Sequence, residues 1–272
     1  MQHHSLSPWE IIASLWRNRS LASALVRREV IGRYRGSTLG ILWSFFNPIC
    51  MLAVYVFVFS VVFKARWNVG SDSKTEFALV LFAGLLVFNL FSECINRAPT
   101  LILSNVNYVK KVVFPLEILP WVVLGSASFH MLISLTVWMV FYWIFFGLPQ
   151  LTALLLPFVL LPVIFLTLGL SWMLASLGVY LRDVSQFIGI FTSVLMFMSP
   201  IFYPISSLPP EYQALFMLNP LTPVIELARD VLIWGKAPDW TMLGVYTGVS
   251  LLFAWMGFAW FQKTRNGFSD VI

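Results

Sequence analysis

Six long apolar runs divide the chain, at Leu39–Phe63, Phe77–Ile95, Leu119–Phe146, Thr152–Tyr180, Phe187–Phe202 and Trp240–Phe261. Each is near the ~20 residues that a helix needs to cross the hydrocarbon core of a bilayer. The fifth is short if Pro200 ends it. A broken or re-entrant segment is the alternative there, tolerated where it lines a cavity or packs in protein. Pro157 and Pro162 predict a kink in the fourth. No internal repeat of the kind that builds inverted-repeat transporters is visible.

Ahead of the runs, Pro8–Ile31 is amphipathic. Trp9, Ile12, Leu15 and Trp16 share one helix face, and Ala22, Leu25 and Val26 roughly continue it. Arg17, Arg19, Arg27 and Arg28 interrupt the segment too often for a span. A helix in the plane of the membrane interface fits, with Ser7 as N-cap and Pro8 in the first turn. A soluble amphipathic helix docked on a partner would show the same spacing.

Two further helix starts lie between the last two runs, in Tyr203–Asp239. Ser207-Leu208-Pro209-Pro210-Glu211 leads into Tyr212–Leu218, and Thr222-Pro223 leads into Val224–Trp234, with Gly235 as a stop. Thr as cap, Pro just inside and Gly just beyond is the expected order of signals. Val224, Leu227, Ala228, Val231 and Leu232 give the second helix an apolar face, while Glu226, Arg229 and Asp230 supply polar atoms. The pattern predicts an all-α integral membrane protein. Six transmembrane helices (residues 39–262) follow an N-terminal amphipathic interface helix (1–38), two short helices occupy the last external loop, and 263–272 form a C-terminal tail.

Composition agrees: of 272 residues, 59% are hydrophobic and 11% charged, against roughly a quarter charged in a soluble domain. The formal charge of +5 does not mark a nucleic-acid binder, because the basic residues cluster at the ends of apolar runs. With the N-terminus inside, the inner segments hold Arg17, Arg19, Arg27, Arg28, Arg33, Arg35, Arg97, Lys110, Lys111, Arg182, Lys263 and Arg265, twelve in all. The outer segments hold five: Lys64, Arg66, Lys74, Arg229 and Lys236. The excess places both termini in the cytoplasm. The first thirty residues contain no uninterrupted apolar core, so no cleavable signal peptide is expected.

Candidate chemistry is sparse. No G-x-x-x-x-G-K-S/T sequence is present, and the only Gly-Lys pair, Gly235-Lys236, is followed by Ala237. ATP handling is therefore expected in another chain. No catalytic triad or carboxylate pair has workable spacing. Cys50 and Cys94 fall in apolar runs and His3-His4 stand alone, so neither a disulfide nor a metal site is expected. Glu93 precedes Arg97 by one helical turn, the spacing of an i,i+4 ion pair at the inner membrane edge. His130 is the only ionisable group near the centre of a span, which makes it a functional candidate. With no carboxylate near it in sequence, a neutral ring bonded to a Ser, Thr or carbonyl is the simpler expectation. Phe187, Phe191, Val194, Met198 and Phe202 repeat at helical spacing on the fifth run, as do Trp43, Phe46, Asn47 and Cys50 on the first. A pore lining and a lipid-facing belt share that spacing.

Arg33–Pro48 reads R-Y-R-G-S-T-L-G-I-L-W-S-F-F-N-P and joins the basic N-terminal segment to the first apolar run. A helix crossing this boundary would put Gly32, Gly36 and Gly40 on one face. They would either admit a second backbone or loosen the turn into the membrane. The spacing of Arg33, Tyr34, Ser37, Leu39, Gly40, Leu42, Trp43 and Pro48 resembles the start of the first membrane helix in ABC-2 type permeases. The closest group exports lipid-linked polysaccharides such as O-antigen, capsule or teichoic acid. Tyr108–Pro115, within the long Arg97–Pro120 loop, resembles the same family.

The resemblance implies that this loop, through Asn107, Tyr108, Lys110 and Lys111, couples to an ATPase subunit. On the residues alone, its lysines would anchor a solvated helix to headgroups. Arg182-Asp183-Val184 is similar to the family's R-D-V turn and would add a second docking point; such a pair is otherwise a cap or a surface ion pair. The resemblance further implies a translocation path along the first and fifth helices, through Trp43, Phe46, Asn47, Phe187, Phe191, Met198 and Phe202, beneath two short helices covering an exit. It implies a permease subunit, not an enzyme, exporting a lipid-linked polysaccharide across the cell inner membrane. The implied partners are a second copy, two ATP-binding cassette subunits carrying ATP and Mg, the glycan cargo and membrane lipids, with no nucleic acid and no cofactor in this chain. Two rivals stay open: an ABC-2 exporter of a small drug or lipid, and a membrane-embedded enzyme acting on polyprenyl-linked sugars.

Overall fold

A computed structural model describes residues 6–62, 67, 74–110 and 114–272. His3, His4, Lys64, Arg66 and Lys111 lie outside the described residues. Within these residues every regular element is a helix. Five stretches are long and apolar enough to cross a membrane: Gly40–Phe59, Thr75–Thr100, Leu116–Phe146, Leu151–Tyr180 and Trp240–Val271. They contain α3 (Trp43–Tyr55), α4 (Lys74–Arg97), α6 (Leu119–Phe146), α7 (Leu156–Tyr180) and α11 (Trp240–Thr264). The fifth predicted run becomes α8, Val184–Phe197, of 14 residues. At 1.5 Å per residue that is about 21 Å, short of the ~30 Å hydrocarbon core. The helix stops ahead of Pro200, whose ring excludes the preceding residue from helical geometry.

The N-terminal segment is two helices rather than one, α1 (Pro8–Arg17) and α2 (Arg19–Tyr34). They part at Asn18, whose side chain donates to the Ser14 carbonyl at 2.8 Å. Ile11 and Ser14 of α1 face the protein, while Trp9, Ile12 and Trp16 are exposed. The expected continuous helix across Arg33–Pro48 does not form. α2 ends at Tyr34, and Gly36 (φ +86°) and Gly40 (φ +53°) turn the chain before α3. Those left-handed angles strain any residue with a Cβ. Within this chain nothing lies within 4 Å of a Cβ added at Gly32, Gly36 or Gly40, and it is Gly36 and Gly40 that shape the turn.

Close approach occurs elsewhere. A Cβ added at Gly257 of α11 would run into the Gly169 carbonyl of α7, and one at Gly178 of α7 into the Pro99 carbonyl. Small residues are what allow helices to meet so closely where lipid offers no hydrophobic drive for association.

The hub is α4. Every residue from Phe77 to Phe88 is buried, against α3, α6, α7, α8 and α10 (Thr222–Arg229). The two helices of the last long loop differ in burial. α9 (Pro210–Met217) has no buried residue. By contrast Leu221, Val224, Ile225, Ala228, Arg229, Val231 and Leu232 are all 0% exposed, and α10 packs on α4 and α7. Thr222 is the first residue of α10 rather than its cap, and its hydroxyl donates back to the Phe216 carbonyl at 2.8 Å. Gly235 ends the following π-helical turn in the left-handed region, as its position predicts.

Arg229 explains how a cation fits inside. Its Nε donates to the Val80 carbonyl (3.1 Å), one terminal nitrogen to the Ile201 carbonyl (3.0 Å) and the other to Glu226 (2.9 Å). The guanidinium lies over the Trp67 ring at 4.3 Å. Gly84 leaves the room: a Cβ there would sit 2.9 Å from the guanidinium. Burial draws the Arg229 pKa down to about 10, which leaves it a cation at neutral pH.

Candidate functional site

A cavity of about 760 Å³ opens between α2, α3, α4 and α6. Two ion pairs mark its charged side. Arg33, at the end of α2, donates to Glu93 of α4 at 2.6 Å, and Arg97 of α4 pairs with Glu29 of α2. Glu93 therefore does not pair with Arg97 as its helical spacing predicts. Each α4 charge instead takes a partner from α2, because both face the groove between the two helices. His130 of α6 joins the first pair, with Nδ1 3.3 Å from Glu93 and 3.0 Å from the Arg33 guanidinium. The expectation of a histidine bonded to a nearby Ser, Thr or carbonyl is thus corrected: its neighbours are a carboxylate and a guanidinium from other helices. Tyr34 meets the imidazole edge-on, with ring centroids 6.1 Å apart.

The rest of the lining is neutral and polar. Ser44 and Asn47 come from α3, Asn89, Ser92 and Asn96 from α4, and Ser126 and Ser134 from α6. Of the residues singled out in sequence, Arg33, Tyr34, Asn47, Pro48 and His130 meet here. Trp43, Phe46, Phe187, Phe191, Met198 and Phe202 do not line the cavity. Trp43 and Phe46 form an edge-on pair on α3, and Phe187 and Phe191 a stacked pair on α8. All four rings are exposed, on two helices that flank α4. Phe202 stacks on Phe59 and Phe197. The Ser37 hydroxyl stays in the turn, where it accepts from the Gly40 N–H at 3.0 Å.

At one end of the bundle the N-terminal and C-terminal segments come together, Ser14 and Arg265 both bonding to Glu117. The Leu6 carbonyl accepts from the Trp255 indole (2.9 Å), and Lys110 donates to the Ile272 carbonyl (2.6 Å). The long loop is built there as short turns ending in α5 (Val106–Lys110). Asn107 and Lys110 are exposed, whereas Tyr108 is half-buried. The Tyr108 ring stacks on Phe114 at 4.3 Å, and its hydroxyl accepts from Arg28 of α2 at 2.7 Å. Arg182 and Asp183 are exposed in the turn before α8.

Sequence reasoning missed the acid that organises this end. Buried Glu117 accepts from Arg265 (2.6 Å) and from the Ser14 hydroxyl (2.9 Å), while its carbonyl accepts from the Trp172 indole (3.0 Å). One residue thereby ties α1, α7, the loop and the C-terminal segment together. The available signal was an acid set among apolar residues in V-V-F-P-L-E-I-L-P, which needs a partner to be buried.

These features define a helical membrane protein with a polar cavity opening between its spans. The match over residues 20–233 to the ABC-2 type transporter family model places the chain in that family. The chain is 30% identical over 264 residues to the O-antigen export system permease protein RfbA of Myxococcus xanthus, covering 96% of this chain and 99% of that one. It is 26% identical to the polysialic acid transport protein KpsM of Escherichia coli, over 89% of this chain and 92% of the relative. It is also 26% identical to the capsule polysaccharide export inner-membrane protein CtrC of Neisseria meningitidis serogroup B, over 83% of each.

Proposed function

We propose that this chain is the membrane-spanning subunit of an ABC transporter that exports a lipid-linked polysaccharide across the inner membrane. The observation that carries this reading is end-to-end similarity to an O-antigen export permease, over 96% of one chain and 99% of the other. The subunit works as a pair with two ATP-binding cassette chains, which bind the ATP and Mg. Six crossings, with α8 and the turn after it as the short one, bring both termini back to the cytoplasmic side. The sharing of Glu117 by Ser14 of the N-terminal segment and Arg265 of the C-terminal one supports an even number. α1 lies in the interface with Trp9, Ile12 and Trp16 toward lipid, and residues 263–272 dock beneath the bundle.

Asn107, Tyr108, Lys110 and Lys111, with Arg182 and Asp183, form the surface that the ATPase grips. The exposed rings of α3 and α8, with Asn47 and Met198, face the second copy and the path between the two. Deletion of the gene, followed by complementation, tests the reading: surface glycan should vanish and return, and the purified complex should retain an ATPase subunit. Unaltered surface glycan in the deletion strain would overturn it.

A further inference from the structure

The cavity between α2, α3, α4 and α6 has a composition that selects its ligand. Two guanidinium groups, Arg33 and Arg97, face two carboxylates, Glu93 and Glu29, so the charges cancel. An anion would have to displace a carboxylate from an arginine already held. A polyhydroxylated neutral molecule would not, because its hydroxyls both donate and accept. The uncharged lining offers the same duality, in Asn47, Asn89, Asn96 and Ser134. Burial pushes the Tyr34 phenol up, which keeps it a neutral hydroxyl beside the imidazole. His130 Nδ1 lies 3.0 Å from the Arg33 guanidinium and 3.3 Å from the Glu93 carboxylate, so both partners engage the ring through this one nitrogen. Its Nε2 is buried without a hydrogen-bond partner. A buried ring nitrogen left unanswered is unfavourable until a group such as a hydroxyl, which can donate or accept, bonds to it. The volume of about 760 Å³ lies within the range of small-molecule sites.

We propose that this cavity is a carbohydrate-binding site for uncharged sugar units of the cargo. Glu93 accepts from a pair of sugar hydroxyls, Arg33 donates to others, His130 Nε2 pairs with a further hydroxyl, and Tyr34 closes one wall. The inference rests on the export reading above, and it adds a place where glycan is recognised before it reaches the exposed aromatic faces of α3 and α8.

Ligand-detected NMR on the full permease–ATPase complex in lipid nanodiscs tests it. The probes are methyl glycosides of glucose, galactose, mannose and N-acetylglucosamine, with inorganic pyrophosphate as the anionic competitor. At least one glycoside should show saturable binding that pyrophosphate does not displace. Glu93→Gln should weaken that binding about tenfold, the loss of one charge-assisted bond. Arg33→Gln, half-exposed and so tolerant of change, should do likewise if Glu93→Gln fails to assemble. His130→Leu, which removes both ring nitrogens, should lose binding, and His130→Gln, which restores one polar group, should recover part of it. The site is refuted if no glycoside binds, if pyrophosphate displaces the sugar, or if Glu93→Gln and Arg33→Gln bind like wild type. In those cases loss of surface glycan on gene deletion would leave the export reading intact, so the two failures are distinguishable.

Discussion

Arg229 is the residue with most to lose. Its fork closes two backbone carbonyls and a carboxylate from separate segments, and Gly84 makes room for it. Arg229→Ala should destabilise the purified protein by about 3 kcal/mol, because two buried carbonyls lose their partner and a void opens. Arg229→Lys should recover little, since an ammonium cannot span the same three acceptors. Gly84→Ala should cost about 1–2 kcal/mol by pressing a methyl against the guanidinium. Thermal unfolding in detergent reads all three, and a Gly84→Ala protein as stable as wild type would remove the close fit from the account. Tyr108 makes a second test. Tyr108→Ala with Asn107→Ala should weaken ATPase association by about 2 kcal/mol, as truncation at an interface centre does. Lys110→Ala with Lys111→Ala should do less, if those groups serve lipid anchoring. Tyr108→Phe keeps the stack on Phe114 and removes only the acceptor for Arg28. Copurified ATPase, its hydrolysis rate and surface glycan would be measured for each. Wild-type values for the Tyr108 pair would move the coupling to α1 and α2.

The limits of the sequence are plainest at these residues. Arg229 binds Val80 and Ile201 through their carbonyls, 149 and 28 residues away, and a carbonyl leaves no mark in a sequence. Glu93 had a plausible partner one turn ahead, yet its partners lie 60 and 37 residues away. Local spacing proposes a pair, and the packing of helices decides it.

Elements were more legible than their surroundings. Periodicity and Pro and Gly signals placed most helices near their positions, including the start at Thr222 and the stop at Gly235. The burial of α10 was not legible, because an apolar stripe looks the same whether it meets protein or a bilayer edge. At the boundary before α3 two readings of the glycines stayed open, because glycines at every fourth position suit both a helix face and a turn. A pair of substitutions separates these uses. Gly36→Ala, at φ +86°, should cost about 1–2 kcal/mol. Gly32→Ala, inside α2 with open space around it, should gain about 0.5–1 kcal/mol by stiffening the helix. Equal effects on thermal unfolding would contradict the turn.

For the whole molecule, hydropathy distinguishes spans from loops but not lipid from protein. α3 is mostly exposed and α4 mostly buried, although their apolarity is nearly equal. Orientation rests on charge, and it has a direct test. Reporters fused after Ile272 and inserted in the exposed α9 segment should report opposite sides of the membrane. A C-terminal reporter active only outside would reverse the topology. The isolated subunit should bind no nucleotide, since it has no Gly-rich phosphate-cradling loop, and saturable ATP binding would contradict this.

The burial of α4 has a consequence for how the chain is made. Synthesis runs from the N-terminus, so α4 enters the bilayer before α6, α7, α8 and α10 exist to cover it. Phe77 to Phe88 contains no polar side chain, so the future hub can wait in lipid at no cost. Arg229 has the opposite history. Trp67, Val80, Ile201 and Glu226, which hold it, all precede it in the chain. When the ribosome releases this cation, every group that will shelter it has already been translated, and the bilayer never has to host it alone.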